Sequence, residues 1–386
     1  MNLNFDDIRP YGGEEVTPVI RRLLKNPRFR EYVARFFPEI KWEDFKSCIL
    51  PIKSIDALQY QILRPMINAL VEKNSTGLTC AGLENISANA PHLYISNHRD
   101  IIIDVSVLNL LLMNNGFLTT EIAIGDNLML SPWIEDVVRL NKSFIVKRGV
   151  SGREMLEISR HLSQYIHFAV KNKKESVWIA QREGRAKDSD DRTQDSLLKM
   201  LAMGGEMDFL ENIKELNITP VSLSYEYDPC DFLKAQEFQQ KRDNPEFTKT
   251  RDDDLINMQT GLAGFKGNIH IRIGKPINPQ LQEMDKTLKK NELASLIARL
   301  IDREIFLNYR FYPINYIAYE RLCGKGSFKG EYTLADEKTF DAYLKKQLEK
   351  INLPDKDIPF LTEKMLEMYA NPVKNQLSVQ SPSLRA

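Results

Sequence analysis

Apolar residues along this chain change their spacing twice. Up to about residue 90 they recur at helical intervals. VTPVIRRLLKNPRFREYVARFF sets Val19, Leu23, Leu24, Phe29, Tyr32, Val33, Phe36 and Phe37 in an amphipathic period. IDALQYQILRPMINALVEK continues it, with Pro65 placed to bend or break the helix. From about 91 to 280, short β-branched runs alternate with stretches of helical length. The strand candidates are 93–96, 121–124, 143–146, 177–180, 220–224 and 269–273; the helix candidates are 101–113, 152–171 and 196–212. Residues 234–260 are polar and charged and read as an exposed excursion before the last strand. From 281 onward the pattern is helical again, in LASLIARLIDREIFLNYRF and KTFDAYLKKQLEKI, and the tail NQLSVQSPSLRA is expected to fray. The alternation predicts an α/β fold with a mostly parallel or mixed central sheet flanked by helices. It divides the chain into an N-terminal helical region (1–90), an α/β domain (91–280) and a C-terminal helical region (281–386).

Composition narrows the class. Lys+Arg and Asp+Glu are 53 each, so the formal charge is zero, which argues against a nucleic-acid binder working through bulk charge. With 42% hydrophobic and 27% charged residues the 386-residue chain is an ordinary globular one. Cys48, Cys80, Cys230 and Cys323 lie far apart without a CxxC pair, so reduced thiols are expected, with no zinc site and no disulfide scaffold. The start, MNLNFDDIRPYGGEE, is too acidic and polar for a signal peptide. The most apolar stretch, 101–113, carries Asp104 and Asn109 and falls short of the roughly 20 residues a spanning helix needs. Any membrane contact is therefore peripheral.

Chemistry concentrates after the first strand candidate. LYISNHRDIIID puts His98 between a short apolar strand and a helix, and the carboxyl ends of strands are where open α/β sheets place their sites. A neutral imidazole with a carboxylate partner is a general base suited to neutral pH. Asp100 and Asp104 are both available as that partner. Alternatively Asp100 caps the helix and His98 is a turn residue. No GxSxG occurs, so a serine nucleophile elbow is not supported. His92, His161 and His167 lack metal-ligand spacing and no metal is assigned. His270, on the polar face of NIHIRIGKPI, reads as structural or solvated.

Four further segments follow His98 in order: GDNLMLSPW (125–133), FIVKRG (144–149), REGRAKD (182–188) and ITPVSLSYEY (218–227). With NHRDIIID they resemble the blocks of the glycerolipid acyltransferase superfamily, in particular the glycerol-3-phosphate and 1-acylglycerol-3-phosphate acyltransferases. The resemblance covers roughly 91–280. It implies that His98 is the catalytic base and that an aspartate is its partner. This chain has five residues between His98 and Asp104 where the family has four, so either Asp104 serves across a longer turn or Asp100 takes over. Asp104 is preferred, because Asp100 is placed to cap the helix. The resemblance further implies that Arg148 holds a phosphate through its guanidinium fork and that Glu183 orients the arginines or the acceptor. Gly184 would allow a tight turn, Arg185 or Lys187 would supply a second cation, and Pro220 would line the substrate groove.

The function implied is transfer of a fatty acyl group from acyl-CoA or acyl carrier protein (acyl-ACP) to a glycerol-3-phosphate or lysophospholipid-type acceptor. Donor and acceptor are co-substrates, and no resident cofactor is expected. The alternatives are a catalytically silent lipid- or acyl-binding protein and a thioester hydrolase. A lipid acceptor also implies peripheral contact at the cytoplasmic membrane face. The basic stretch carrying Arg21, Arg22, Lys25, Arg28 and Arg30 beside Leu23, Leu24, Phe29, Phe36 and Phe37 could lie on an anionic bilayer, or else pack on the α/β core.

Overall fold

The computed structural model describes residues 4–129, 131–149, 151–324 and 326–380. Its centre is a seven-stranded sheet of β1 (Gly77–Ala81), β2 (Leu93–Ser96), β3 (Glu121–Gly125), β4 (Ser143–Val146), β5 (Val177–Ala180), β6 (Ile218–Tyr225) and β7 (Asn268–Ile273), in spatial order β1-β7-β6-β2-β5-β3-β4. All pairs are parallel except β6 with β7. Side chains alternate between the two faces, and both faces are covered. Tyr94, Ile122, Trp178, Val221 and Leu223 pack under the helix Ile103–Asn114. Leu93, Ile95, Phe144, Val177, Ile179 and Ile218 pack under Gly152–Phe168, Asp195–Leu201, Phe209–Lys214 and Lys290–Leu307. Double coverage is why the strands read as continuous apolar runs.

Several expectations need correction. β1 falls inside the expected N-terminal helical region yet joins the sheet by pairing with β7. Its residues, GLTCA, are half-exposed at an edge and carry no alternating pattern. The helix expected over 196–212 breaks into Asp195–Leu201 and Phe209–Lys214. Gly204 and Gly205 lie in the break, where a Cβ on either would run into Ser163 or Asn212. The segment 234–260 is not an exposed excursion. It forms helices Asp231–Asp243 and Arg251–Ala263, and Lys234, Ala235, Glu237 and Gln239 of the first are buried. The tail is helical through Gln380 in Ile358–Gln380; residues 381–386 lie outside the described residues. Pro65 sits at the start of the helix Arg64–Asn74, just after a π-helical turn at Gln59–Leu63.

The basic N-terminal stretch is two helices, Val16–Leu24 and Pro27–Phe36. They part at Asn26, whose side chain accepts from the N–H groups of Arg28 and Phe29 at 3.0 and 3.3 Å. Their apolar residues Val19, Leu23, Phe29 and Val33 are buried in a cluster with Leu140, packed by Trp133 and Val137 of the helix Pro132–Leu140. Packing on the α/β core, not a free bilayer-facing stripe, occupies this face. Arg22 is tied to Asp136 at 2.6–2.8 Å. Helices Pro313–Cys323, Leu334–Lys350 and Ile358–Gln380 build a further cluster around Ala235. There Tyr343, Tyr369 and Gln347 converge on the buried Asp231 at 2.5–2.7 Å. No helix of the described residues is long and apolar enough to cross a membrane.

Candidate active site

Strand order creates the site. β2 is followed by Ile103–Asn114 on one face of the sheet, while β5 is followed by Asp195–Leu201 and Phe209–Lys214 on the other. β2 and β5 are neighbours, so their outgoing connections part and leave a crevice between their carboxyl ends. His98 lies on one lip and residues 181–187 on the other.

His98 Nδ1 is 2.7 Å from Asp104 Oδ2. The five-residue spacer closes as a loop around this carboxylate. Oδ2 also accepts the backbone N–H groups of Arg99 (2.6 Å) and Asp100 (3.0 Å), and Oδ1 accepts the Tyr225 hydroxyl at 2.7 Å. Burial would push the Asp104 carboxyl up, but His98, Tyr225 and the Asp100 N–H hold it below its usual range. An ionised Asp104 assigns the Nδ1 proton of neutral His98 to the shared hydrogen bond and leaves Nε2 with its lone pair. Nε2 has no hydrogen-bond partner among the described residues, and the His98 side chain keeps 15% of its surface exposed against 1% for Asp104. Trp178 braces the ring edge-on, with centroids 5.6 Å apart.

Asp100 does different work. Its Oδ1 accepts the N–H groups of Ile102 and Ile103, both at 2.9 Å, capping the helix from just upstream. Burial, and then the charge of Asp104, raise its carboxyl above the usual value. Arg99 anchors the loop from beneath. Its guanidinium grips the buried Asp191 at 2.6 and 2.7 Å, Asp191 also accepts the Tyr309 hydroxyl, and Lys234 donates to the Arg99 carbonyl at 3.2 Å while pairing with Asp228.

The cations lie farther along the same edge. Arg148 follows β4, its backbone N–H donating to Asp126 at 3.1 Å and its side chain lying against Gly125. Its guanidinium is 3.8 Å from Glu183, so the FIVKRG and REGRAKD segments meet. Gly184 takes a left-handed φ of 70°, which turns the chain between Glu183 and Arg185. Arg185 donates to Asn257 at 3.0 Å, while its Nη1 and the neighbouring Arg182 Nε are buried without a hydrogen-bond partner among the described residues. Lys187 turns away to an ion pair with Glu237, and burial lowers its ammonium to about 8. Pro220 stands opposite Ile95 inside the sheet, so the residue of β6 that reaches the His98–Asp104 pair is Tyr225.

The helix Arg251–Ala263 lies across these strand ends. Asp254 meets Asn127 after β3 (3.4 Å), Asn257 meets Arg185 after β5, and Gly261 lies against Asp100 after β2. A Cβ at 261 would be 1.9 Å from the Asp100 carboxylate, so glycine is required there. Sequence reasoning passed over Tyr225, Arg182, the Arg99–Asp191–Tyr309 anchor and this helix. Only Arg182 carried a local signal, as a cation beside the Glu-Gly-Arg block. His270 bonds Thr79 across β7 and β1 at 2.8 Å, away from the crevice. Among the described residues no group of three or more His, Cys, Asp or Glu side chains is arranged to hold a metal ion.

Residues 77–221 match the model of the Acyltransferase family. A search of curated proteins finds no match. Among solved structures, the chain is similar to the 1-acyl-sn-glycerophosphate (LPA) acyltransferase PlsC from Thermotoga maritima, at 12% identity and a TM-score of 0.34 over 75% of this chain and 94% of that one.

Proposed function

We propose that this chain, whose residues 77–221 match the Acyltransferase family, moves a fatty acyl group from a thioester to a phosphorylated glycerolipid precursor. The donor is acyl-CoA or acyl-ACP. The observation that carries the reading is the 2.7 Å bond from His98 Nδ1 to Asp104, with Nε2 left free at the mouth of the crevice.

The acceptor hydroxyl gives its proton to His98 Nε2 as its oxygen attacks the thioester carbonyl carbon. Asp104 stabilises the imidazolium that forms, as the aspartate of a serine-protease triad does, with the substrate hydroxyl in the place of serine. Collapse of the tetrahedral adduct breaks the C–S bond, and the imidazolium returns the proton to the leaving thiolate. Arg148, Arg182 and Arg185 offer the acceptor phosphate N–H groups that the fold leaves under-used. Glu183, at 3.8 Å, orients Arg148.

The test is thiol release from an acyl thioester in the presence of glycerol-3-phosphate and of lysophospholipids. Wild-type protein should release thiol only with an acceptor, and His98→Ala should lose about 10²- to 10⁴-fold. Retention of more than a tenth of the activity, with the fold intact by circular dichroism, would overturn the assignment. Thiol release without any acceptor would make the protein a hydrolase.

A further inference from the structure

A lysine is buried against the loop that carries His98. Lys234, on the helix Asp231–Asp243, keeps 1% of its surface exposed. A buried ammonium is tolerated only when it is paired and hydrogen-bonded, and this one has two partners. It forms an ion pair with Asp228 and donates to the carbonyl oxygen of Arg99 at 3.2 Å. Asp228 is fixed in its turn. Its Oδ1 accepts the Cys230 N–H at 2.9 Å, its own N–H donates to the Tyr369 hydroxyl at 3.2 Å, and its carbonyl accepts the Tyr343 hydroxyl at 3.4 Å. Those two tyrosines stand on the helices Ile358–Gln380 and Leu334–Lys350. Lys234, Asp228 and both tyrosines lie beyond residue 221, where the match to the Acyltransferase family ends.

The carbonyl that Lys234 touches belongs to the peptide unit joining Arg99 to Asp100. The N–H of that same unit, on Asp100, donates to Asp104 Oδ2 at 3.0 Å. The same oxygen accepts from His98 Nδ1 at 2.7 Å. A peptide unit is one conjugated group. A cation on its oxygen draws electron density from its nitrogen and makes the N–H a stronger donor, an effect that a low-dielectric interior preserves. Lys234 therefore stands one peptide unit away from the carboxylate that holds His98. The preceding unit, from His98 to Arg99, supplies a contrast. Its N–H, on Arg99, donates to the same Oδ2 at 2.6 Å, but among the described residues Lys234 makes no hydrogen bond to its carbonyl.

We propose that Lys234 is a positioning residue for proton transfer, its ammonium acting through the Arg99–Asp100 peptide to hold the Asp104 carboxylate in place against His98. The proposal rests on the reading above, in which His98 is the base and Asp104 its partner. It separates two kinds of support under one loop. The Arg99 guanidinium, gripping Asp191, ties down the loop as a body. Lys234 instead acts on a single backbone unit, one whose N–H reaches the carboxylate. Asp228 has a part in this as well. It neutralises the buried lysine and, held by Tyr343 and Tyr369, fixes where the ammonium sits. The C-terminal helices thus set the position of Lys234 and, through it, the geometry of a pair at the far end of the chain's fold from their own sequence.

The test compares the full wild-type chain with Lys234→Met, which keeps a long side chain and removes its charge. Thiol release is measured with one acyl thioester and with glycerol-3-phosphate or a lysophospholipid, whichever acceptor supports it. The variant's kcat should fall by about 10- to 100-fold, the loss that a slightly misplaced catalytic group brings, while both KM values hold. A second readout follows the hydrogen bond itself. In amide spectra by nuclear magnetic resonance the Asp100 N–H should move upfield as its bond to Asp104 weakens, and the Arg99 N–H should not move with it. Should Lys234→Met fail to fold because Asp228 is left buried and unpaired, Lys234→Met combined with Asp228→Asn removes both charges together and carries the same two expectations. A kcat close to wild type, a loss expressed in KM instead, or two amides that move together or not at all would overturn the proposal and leave the acyltransferase reading standing. Absence of His98-dependent thiol release by the wild-type protein would instead overturn the reading on which the proposal rests.

Discussion

At the β2 end of this edge, Asp104 accepts four hydrogen bonds, the loop that carries His98 is bolted down through Arg99, and His98 Nε2 has no partner among the described residues. At the β4–β5 end, Arg148 stands 3.8 Å from an exposed Glu183, and Arg182 and Arg185 each keep a buried N–H without a partner. The difference suits the roles proposed for the two ends. A proton-transfer pair loses rate when its geometry drifts, so the fold holds it before substrate arrives. A phosphate site works the other way. An exposed pair such as Arg148–Glu183 is worth about 0–1 kcal/mol, so a phosphate takes the arginine at little cost. An unpaired buried N–H costs about 1–3 kcal/mol, which ligand binding recovers. On the proposed reading, one end is complete without ligand and the other is completed by the acceptor phosphate.

Asp104→Asn should break the pre-organised end most. Asparagine keeps the size and one accepting oxygen, so circular dichroism should stay close to wild type, while the melting temperature near neutral pH should fall because the stabilised carboxylate is gone. The negative charge opposite the imidazolium is gone, and kcat should fall by about 10³- to 10⁴-fold. The acid side of the stability curve should change too. A carboxyl held below its usual value contributes stability above the ordinary carboxylate range and loses it as pH falls through the folded-state value. The variant should lack that part of the acid transition. Turnover within tenfold of wild type would mean that Asp104 only shapes the loop.

The ligand-completed end should answer in KM. Arg148→Ala should raise the acceptor KM by about 10- to 100-fold, the equivalent of one or two charge-assisted hydrogen bonds, and leave donor KM and melting temperature unchanged. Arg148→Lys should recover part, since a point charge cannot replace a fork. Equal effects on both substrates would place Arg148 on the donor. A smaller effect is expected back at β2. Tyr225→Phe should lower kcat by about tenfold through a lost bond to a charged group, with both KM values kept. The acid transition of stability should move to higher pH, because the Tyr225 hydroxyl is one of the groups that hold the Asp104 carboxyl low. An unmoved transition would reduce Tyr225 to packing.

The same contrast explains what was legible in the sequence. Strands β2 to β7 were readable because a sheet covered on both faces turns each strand into a short β-branched run. β1, an edge strand with an irregular burial pattern, gave no such signal. The His98–Asp104 bond joins residues six apart, and local sequence held both partners and the capping Asp100. The rest of that end joins residues far apart: Tyr225 to Asp104 across 121 positions, Arg99 to Asp191 across 92, Tyr309 to Asp191 across 118. Those meetings depend on β5 entering the sheet between β2 and β3 and on β6 crossing to the far side of β2, an order that hydrophobic periodicity does not encode. Lys187 illustrates the converse. It sits in the right block, but its partner Glu237 lies on a helix whose polar sequence resembles a solvated loop.

Asp100→Asn should produce the smallest change, and its sign separates the two carboxylates. Asp100 Oδ1 does the capping, with two N–H groups at 2.9 Å, and asparagine caps a helix about as well as aspartate. The second oxygen lies against Gly261, where an amide group of the same shape fits as well. Burial and the charge of Asp104 raise the Asp100 carboxyl above its usual value, so its ionised form weakens the folded state at neutral pH. Stability tied to this group is therefore full below the ordinary carboxylate value and is lost as pH rises through the raised one. Removing the charge should leave kcat within about twofold of wild type, well inside the tenfold set by a single general-base hydrogen bond. The melting temperature at pH 7 should equal or exceed that of wild type, by a margin that shrinks on acidification. A fall in kcat by orders of magnitude would transfer the role of base partner to Asp100. A loss of stability at pH 7 that grew toward alkaline pH would show that the Asp100 charge supports the fold, through the nearby Lys266, more than burial opposes it.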